Sequence, residues 1–435
     1  MSIHSRSRSR PASVIAYRRL PRAPSPTTAA SSSSVIRRSS PTLTPVPDEL
    51  EAHDLPVEGT LPPELDGRYL RNGPNPRPGE AAPPHWFLGR GMLHGVRLKE
   101  GRALWYRNRW VRSETSAANT AVLHHSGRLF ALIENTPPVE IDDELGTIGT
   151  YDFGGRLTTA MTAHPKVDSE TGELHFFGYG PRPPHLTYHR LDPAGNLVHS
   201  EPVAVPAATM MHDFAITRNH VVWLDLPVVF DRELVGRTLP YSWSDSYGVR
   251  LGVMPKSGGP VQWFDVEPGY VFHVGHASED AAGRVVLTAV RWGREGFTAD
   301  WPTLGVRDES PAHLHEWTLD PATGTVTERA LDDRGVEFYA VGANEIIKYD
   351  ATSGAARTDY LGAGWRAGEA VFVPGAEATG EDEGWLISIA GHTDPAVPAR
   401  LLVHDATAVE KSPVATVTLP RRVPLGFHGT WVDAG

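Results

Sequence analysis

The stretch Asp280-Ala281-Ala282-Gly283-Arg284-Val285-Val286-Leu287-Thr288-Ala289-Val290 carries the fold in miniature. An Asp-to-Gly turn leads straight into a short apolar run. The aspartate side chain can cap such a turn, and glycine supplies the positive φ that closes it. The same grammar recurs at Asp168-Ser-Glu-Thr-Gly172, Asp192-Pro-Ala-Gly195, Asp320-Pro-Ala-Thr-Gly324 and Asp350-Ala-Thr-Ser-Gly354. Further apolar runs stand at Leu129–Ile133, Val221–Leu226, Trp385–Ile389 and Leu401–His404. No long segment keeps a helical period, so the chain reads as all-β. Repeated hairpin units of this kind predict a β-propeller, in which small sheets ring an axis. A sandwich or barrel of this length is the competing arrangement.

Composition agrees. The 435 residues include 42 glycines, 38 prolines and no cysteine. That mix suits a turn-rich β protein. Without cysteine there are no disulfides, thiolate metal sites or cysteine nucleophiles, which fits a reducing, cytoplasmic setting. The formal charge of −11 is uneven, because residues 1–47 carry eight arginines and no acid. The acidic remainder argues against nucleic acid as a partner. No run approaches the ~18 apolar residues that span a bilayer. Residues 1–45 are rich in Ser, Arg and Pro and cannot bury enough apolar surface to offset ordering entropy, so they read as a disordered tail. An upstream mis-start of the gene would account for it, and an organellar transit peptide has the same composition. Residues 46–435 read as one propeller domain.

Four segments hold one histidine each: Thr162-Ala163-His164-Pro165, Met211-His212-Asp213-Phe214, Val271-Phe272-His273-Val274 and Gly426-Phe427-His428-Gly429. They lie 48, 61 and 155 residues apart, each beside a run that reads as β. One residue at the inner edge of several blades would converge on the axis and present neutral imidazoles to one metal. A lone histidine among the 20 in the chain is more often core or surface than ligand. His124, His125, His175, His189 and His199 receive only that bland reading. His313 and His315 share a strand face but have no third partner at suitable spacing. The chain lacks His-Glu-x-x-His, a P-loop lysine motif and a Gly-x-Ser-x-Gly elbow.

From about Leu55 onward the chain resembles the carotenoid cleavage oxygenase family. The matching pieces are Gly67-Arg-Tyr-Leu-Arg-Asn-Gly-Pro-Asn-Pro76, His85-Trp-Phe87 with Gly91-Met-Leu-His94, and Tyr106-Arg-Asn-Arg-Trp-Val-Arg112. They continue with Glu134 before Pro137, the four histidine segments, and Gly368-Glu-Ala-Val-Phe-Val-Pro374. The resemblance implies a seven-bladed propeller with a loop-and-helix cap. It implies one Fe(II) per chain on the axis, held by His164, His212, His273 and His428. Glu134, Glu337 and Glu369 would orient His212, His273 and His428 respectively. Imidazole suits Fe(II), and four ligands on an octahedral ion leave two positions open. A ligating imidazole normally donates its other N–H to a fixed acceptor, which explains the glutamates.

The chain departs from the family pattern in places. After Glu337-Phe338 the family pattern usually continues for about fifteen more residues than this chain has, so a piece of one blade is expected to be missing. His276 stands where an Asn is common, and Leu88 and Arg90 replace flanking acids. None of these changes removes an expected ligand. The implied activity is O2-dependent cleavage of a C=C bond in a carotenoid or apocarotenoid to two carbonyl products. The alternative substrate is a stilbene bearing a phenol, a branch associated with a lysine beside the first glutamate; here Ile133 precedes Glu134. A weakly active or inactive apocarotenoid-binding propeller is a further alternative, suggested by the missing segment. Trp86, Phe87, Phe272 and Phe427 flank matched motifs and serve equally well as tunnel walls or as packing. Lipid-soluble substrates imply peripheral membrane contact.

Overall fold

In the computed structural model the opening stretch is a hairpin. Asp280 Oδ1 accepts the Ala282 and Arg284 N–H groups, each at 2.9 Å. Gly283 takes φ +80°. The turn joins Tyr270–Glu279 to Val285–Trp292, with Glu279 opposite Val285. Each of the apolar runs named above lies on a strand, to within a residue at either end. The structure describes residues 13–16, 44–81, 83, 85–300, 312–331, 344–350, 355–380 and 382–434.

Seven sheets follow one another as the blades of a propeller, and the expected class holds. The second to fifth blades are antiparallel four-stranded meanders, beginning at Ala121–His125, Lys166–Val167, Ala215–Ile216 and Tyr270–Glu279. The ring closes twice. Gly429–Asp433 adds to Gly67–Pro74 of the first blade, and Val57–Gly59 adds to Ala415–Thr418 of the last. Two sequence-distant pairings thus replace the open edges that a linear row of sheets would expose.

The sixth sheet has three strands. Glu345–Asp350 pairs with Ala356–Tyr360 on one side and with Ser13–Ala16 on the other, Ser13 opposite Asp350. Ser13–Ala16 and residues 44–45 are the described parts of the segment expected as a tail. Residues 332–343, where the missing piece was inferred, lie outside the described residues, and so does Glu337.

Side chains from neighbouring sheets interlock to form the core. The largest cluster joins the third, fourth and fifth blades through Phe177, Tyr188, Phe214, Trp223, Tyr270 and Phe272. Trp223 stacks on Phe214 with centroids 5.6 Å apart. Arg294–Asp300 is the one α-helix among the described residues. Over one face lie the short turn Trp86–Leu88 and a two-stranded ribbon, Val228–Phe230 with Tyr241–Trp243. These elements roof the site described next.

Candidate metal centre

The four histidines lie on, or just ahead of, the inner strands of four sheets. His164 precedes Lys166–Val167, His212 precedes Ala215–Ile216, His273 lies within Tyr270–Glu279, and His428 precedes Gly429–Asp433. At His273 the pairing register shifts between Val271 and Val274 and again before His276. Such a bulge turns a side chain away from strict alternation, and here it turns His273 inward.

The fold brings the rings together. His212 Nε2 is 3.1 Å from His164 Nε2 and 3.2 Å from His273 Nε2. The donor atoms of these three all lie within 4.8 Å of one another. The His428 ring centre is 4.6 Å from that of His164 and 4.9 Å from that of His273. Among the other histidines, His315 pairs with Glu328 at 3.1 Å, His175 with Tyr188 at 2.6 Å, and His189 with Ser200 at 2.8 Å.

Two carboxylates set the outer nitrogens. His212 Nδ1 is 2.5 Å from Glu134 Oε1, and His428 Nδ1 is 3.2 Å from Glu369 Oε1. A carboxylate only accepts, so each Nδ1 carries the hydrogen and each Nε2 keeps its lone pair. Burial, then the neighbouring imidazoles and Lys166, push His164 and His273 well below the usual histidine pKa. For His428 burial opposes protonation, but the charge and hydrogen bond of Glu369 outweigh it and raise the pKa. His212 Nε2 thus turns its lone pair toward the His164 and His273 Nε2 atoms about 3 Å away, a convergent set of imidazole nitrogens of the kind that suits a transition-metal cation. The residues present therefore fit a metal ion.

The local sequence explains the tight approach. A Cβ on Gly429 would lie 2.6 Å from the Tyr69 hydroxyl, so only glycine lets the closing strand pass. Phe427 N–H donates to Asn72 O at 2.8 Å, and Asn72 N–H to His428 O at 3.1 Å. Behind the cluster, Asp213 is buried. Its Oδ1 accepts from Lys166 Nζ at 2.7 Å and from Phe214 N–H at 2.8 Å, and its Oδ2 accepts the Val274 N–H at 2.9 Å. It thereby ties the His212 segment to the His273 segment.

A cavity of about 400 Å³ opens onto the centre. His212, His273, His428, Glu134 and Glu369 form its floor, and Phe87, Leu88, Ile133, Phe230, Leu239, Tyr241, Phe272 and Phe427 its walls. Trp86 does not line it but packs on Phe427, with centroids 4.3 Å apart. Tyr179, Phe230 and Tyr241 were not singled out in the sequence. They stand on strands of ordinary composition, with no motif to mark them.

A ring of sheets with clustered imidazoles opening on an apolar cavity defines a propeller with a candidate metal site. The family model described as "Retinal pigment epithelial membrane protein" (RPE65) matches residues 43–344 and 339–433. A carotenoid cleavage oxygenase of Mycobacterium tuberculosis is 36% identical over 486 aligned positions, covering 89% of this chain and 96% of the relative. A carotenoid 9,10(9',10')-cleavage dioxygenase of Crocus sativus is 32% identical, covering 89% of this chain and 88% of the relative. The crystal structure of Pseudomonas brassicacearum lignostilbene dioxygenase superposes with a TM-score of 0.82 at 26% identity, covering 91% of this chain and 98% of that one. The chain belongs to the RPE65/carotenoid cleavage oxygenase family, and it is an enzyme of the dioxygenase type.

Proposed function

We propose that this protein is a non-haem Fe(II) dioxygenase that cleaves one C=C bond of a carotenoid or apocarotenoid to two carbonyl products. The observation that carries the reading is the imidazole cluster, its outer nitrogens fixed by carboxylates, opening on an apolar, aromatic-walled cavity. His164, His212, His273 and His428 would hold one iron, and Glu134, Glu369 and Glu337 would orient His212, His428 and His273. Bound Fe(II) supplies the activation of O2 beside an electron-rich double bond. Both oxygen atoms end in the products, so C=C plus O2 balances to two C=O with no added reductant.

The chain's own groups bind, align and exclude water. Phe87, Phe272 and Phe427 line the cavity and would pack against an extended polyene, and fixing its register would decide which bond is cut. No acid or base is needed for scission. Among the described residues no helix is long and apolar enough to cross a membrane. We propose a cytoplasmic protein with peripheral membrane contact for substrate uptake.

A phenolic stilbene is the second reading, supported by the likeness to the lignostilbene enzyme and by the Tyr179 and Tyr241 side chains in the cavity wall. Against it, Ile133 precedes Glu134, and Lys166 is held on Asp213 at 2.7 Å and does not line the cavity. The test is Fe(II)-loaded protein with an apocarotenal under O2, read by bleaching and by mass analysis of the aldehydes. Two carbonyl fragments, each carrying one oxygen from labelled O2, are expected. Bleaching of resveratrol-like stilbenes alone favours the second reading. Iron binding with no turnover of either class sinks both and leaves a binding propeller.

A further inference from the structure

The two described carboxylates at the centre are held in the same way by different donors. Glu369 places Oε1 on His428 Nδ1, and its Oε2 accepts the Gly429 N–H at 2.7 Å. Glu134 places Oε1 on His212 Nδ1, and its Oε2 accepts the Tyr179 hydroxyl. A carboxylate held through one oxygen can still rotate about its last bond, whereas a donor on the second oxygen fixes its plane. For Glu369 that second donor is backbone, on the residue after the ligand. For Glu134 it is a side chain on the last residue of Leu174–Tyr179, a strand of the third blade. Tyr179 also lines the cavity, so its ring is part of the wall while its hydroxyl points at the support of His212.

We infer that Tyr179 is a positioning residue that fixes His212 through Glu134, and that it makes metal affinity depend on the cavity wall. The inference rests on the metal reading above. Partners behind a ligating imidazole typically change metal affinity by about 10–100-fold when removed. Tyr179 stands one step further out, so about a 10-fold loss is expected on removing its hydroxyl.

The probe is Co(II) alone, titrated into the full metal-free chain and followed by visible absorption. Tyr179→Phe keeps the ring and should weaken Co(II) binding about 10-fold, with a changed absorption envelope. Tyr179→Met serves as a second variant lacking the donor and should lose a similar amount. The decisive comparison is the double variant Tyr179→Phe/Glu134→Gln. Acting through Glu134, the tyrosine change should add nothing to Glu134→Gln, because neighbouring groups on one path are not additive. Parental affinity in Tyr179→Phe, or a full separate loss in the double variant, overturns the inference while the metal reading stands. Parental protein that binds no Co(II) overturns both.

Discussion

Asp213 joins the loops that carry two of the imidazoles, and its loss should be felt in both stability and metal binding. In Asp213→Ala the Phe214 and Val274 N–H groups lose their acceptor. A buried donor left unmade, as at Phe214, costs about 1–3 kcal/mol, and the half-buried Val274 N–H costs at most that. Lys166, with a side chain 28% exposed, can turn toward water, so its share stays below about 1 kcal/mol. The sum is a loss of about 1–7 kcal/mol. Asp213→Asn should cost about half as much, because one oxygen still serves Phe214 and Lys166 while the amide NH₂ faces the Val274 N–H. Urea unfolding of the metal-free proteins measures both changes, and Co(II) titration should show weaker binding in the same order. Asp213→Ala within 1 kcal/mol of the parent, or Asp213→Asn as damaging as Asp213→Ala, would refute the reasoning.

Three further outcomes are expected. His175 and His189 are held neutral by burial at a pKa of about 4, against an ordinary 6.5. The unfolded chain binds more protons between those values, so stability falls as pH drops from 6.5 toward 4, by up to about 3 kcal/mol per histidine. Urea midpoints of parent and His189→Gln across that window should converge at low pH; parallel curves would refute it. Glu369→Gln removes the charge on His428 Nδ1 and should weaken Co(II) binding about 10–100-fold in competition with a chromophoric chelator. Deleting residues 1–43 removes the Ser13–Ala16 pairing, so amide exchange across Glu345–Asp350 should accelerate; unchanged exchange there would show that the segment lends the sixth blade nothing.

Much of the architecture was legible because it is local. The Asp280–Gly283 turn and the Val285–Val290 run encode a hairpin within a dozen residues, and repeated hairpins leave few folds to choose from. The histidines were legible because each sits in a short segment that the family resemblance fixes. What escaped was non-local. The bulge that turns His273 inward depends on the register against Val285–Trp292, which no motif states. Tyr179 lies 45 residues from Glu134 and meets it only across two blades. The pairing of Val57–Gly59 with Ala415–Thr418 joins segments whose separation no periodicity could bridge.

His428 stands directly ahead of Gly429–Asp433, the strand that completes the first blade. Translation delivers the other three imidazoles long before this one, on sheets that cannot yet form a circle. Until Gly429–Asp433 pairs with Gly67–Pro74, the His428 ring has no sheet to hold it against the other three. Under the metal reading proposed above, an ion held by all four rings would report that the circle has shut.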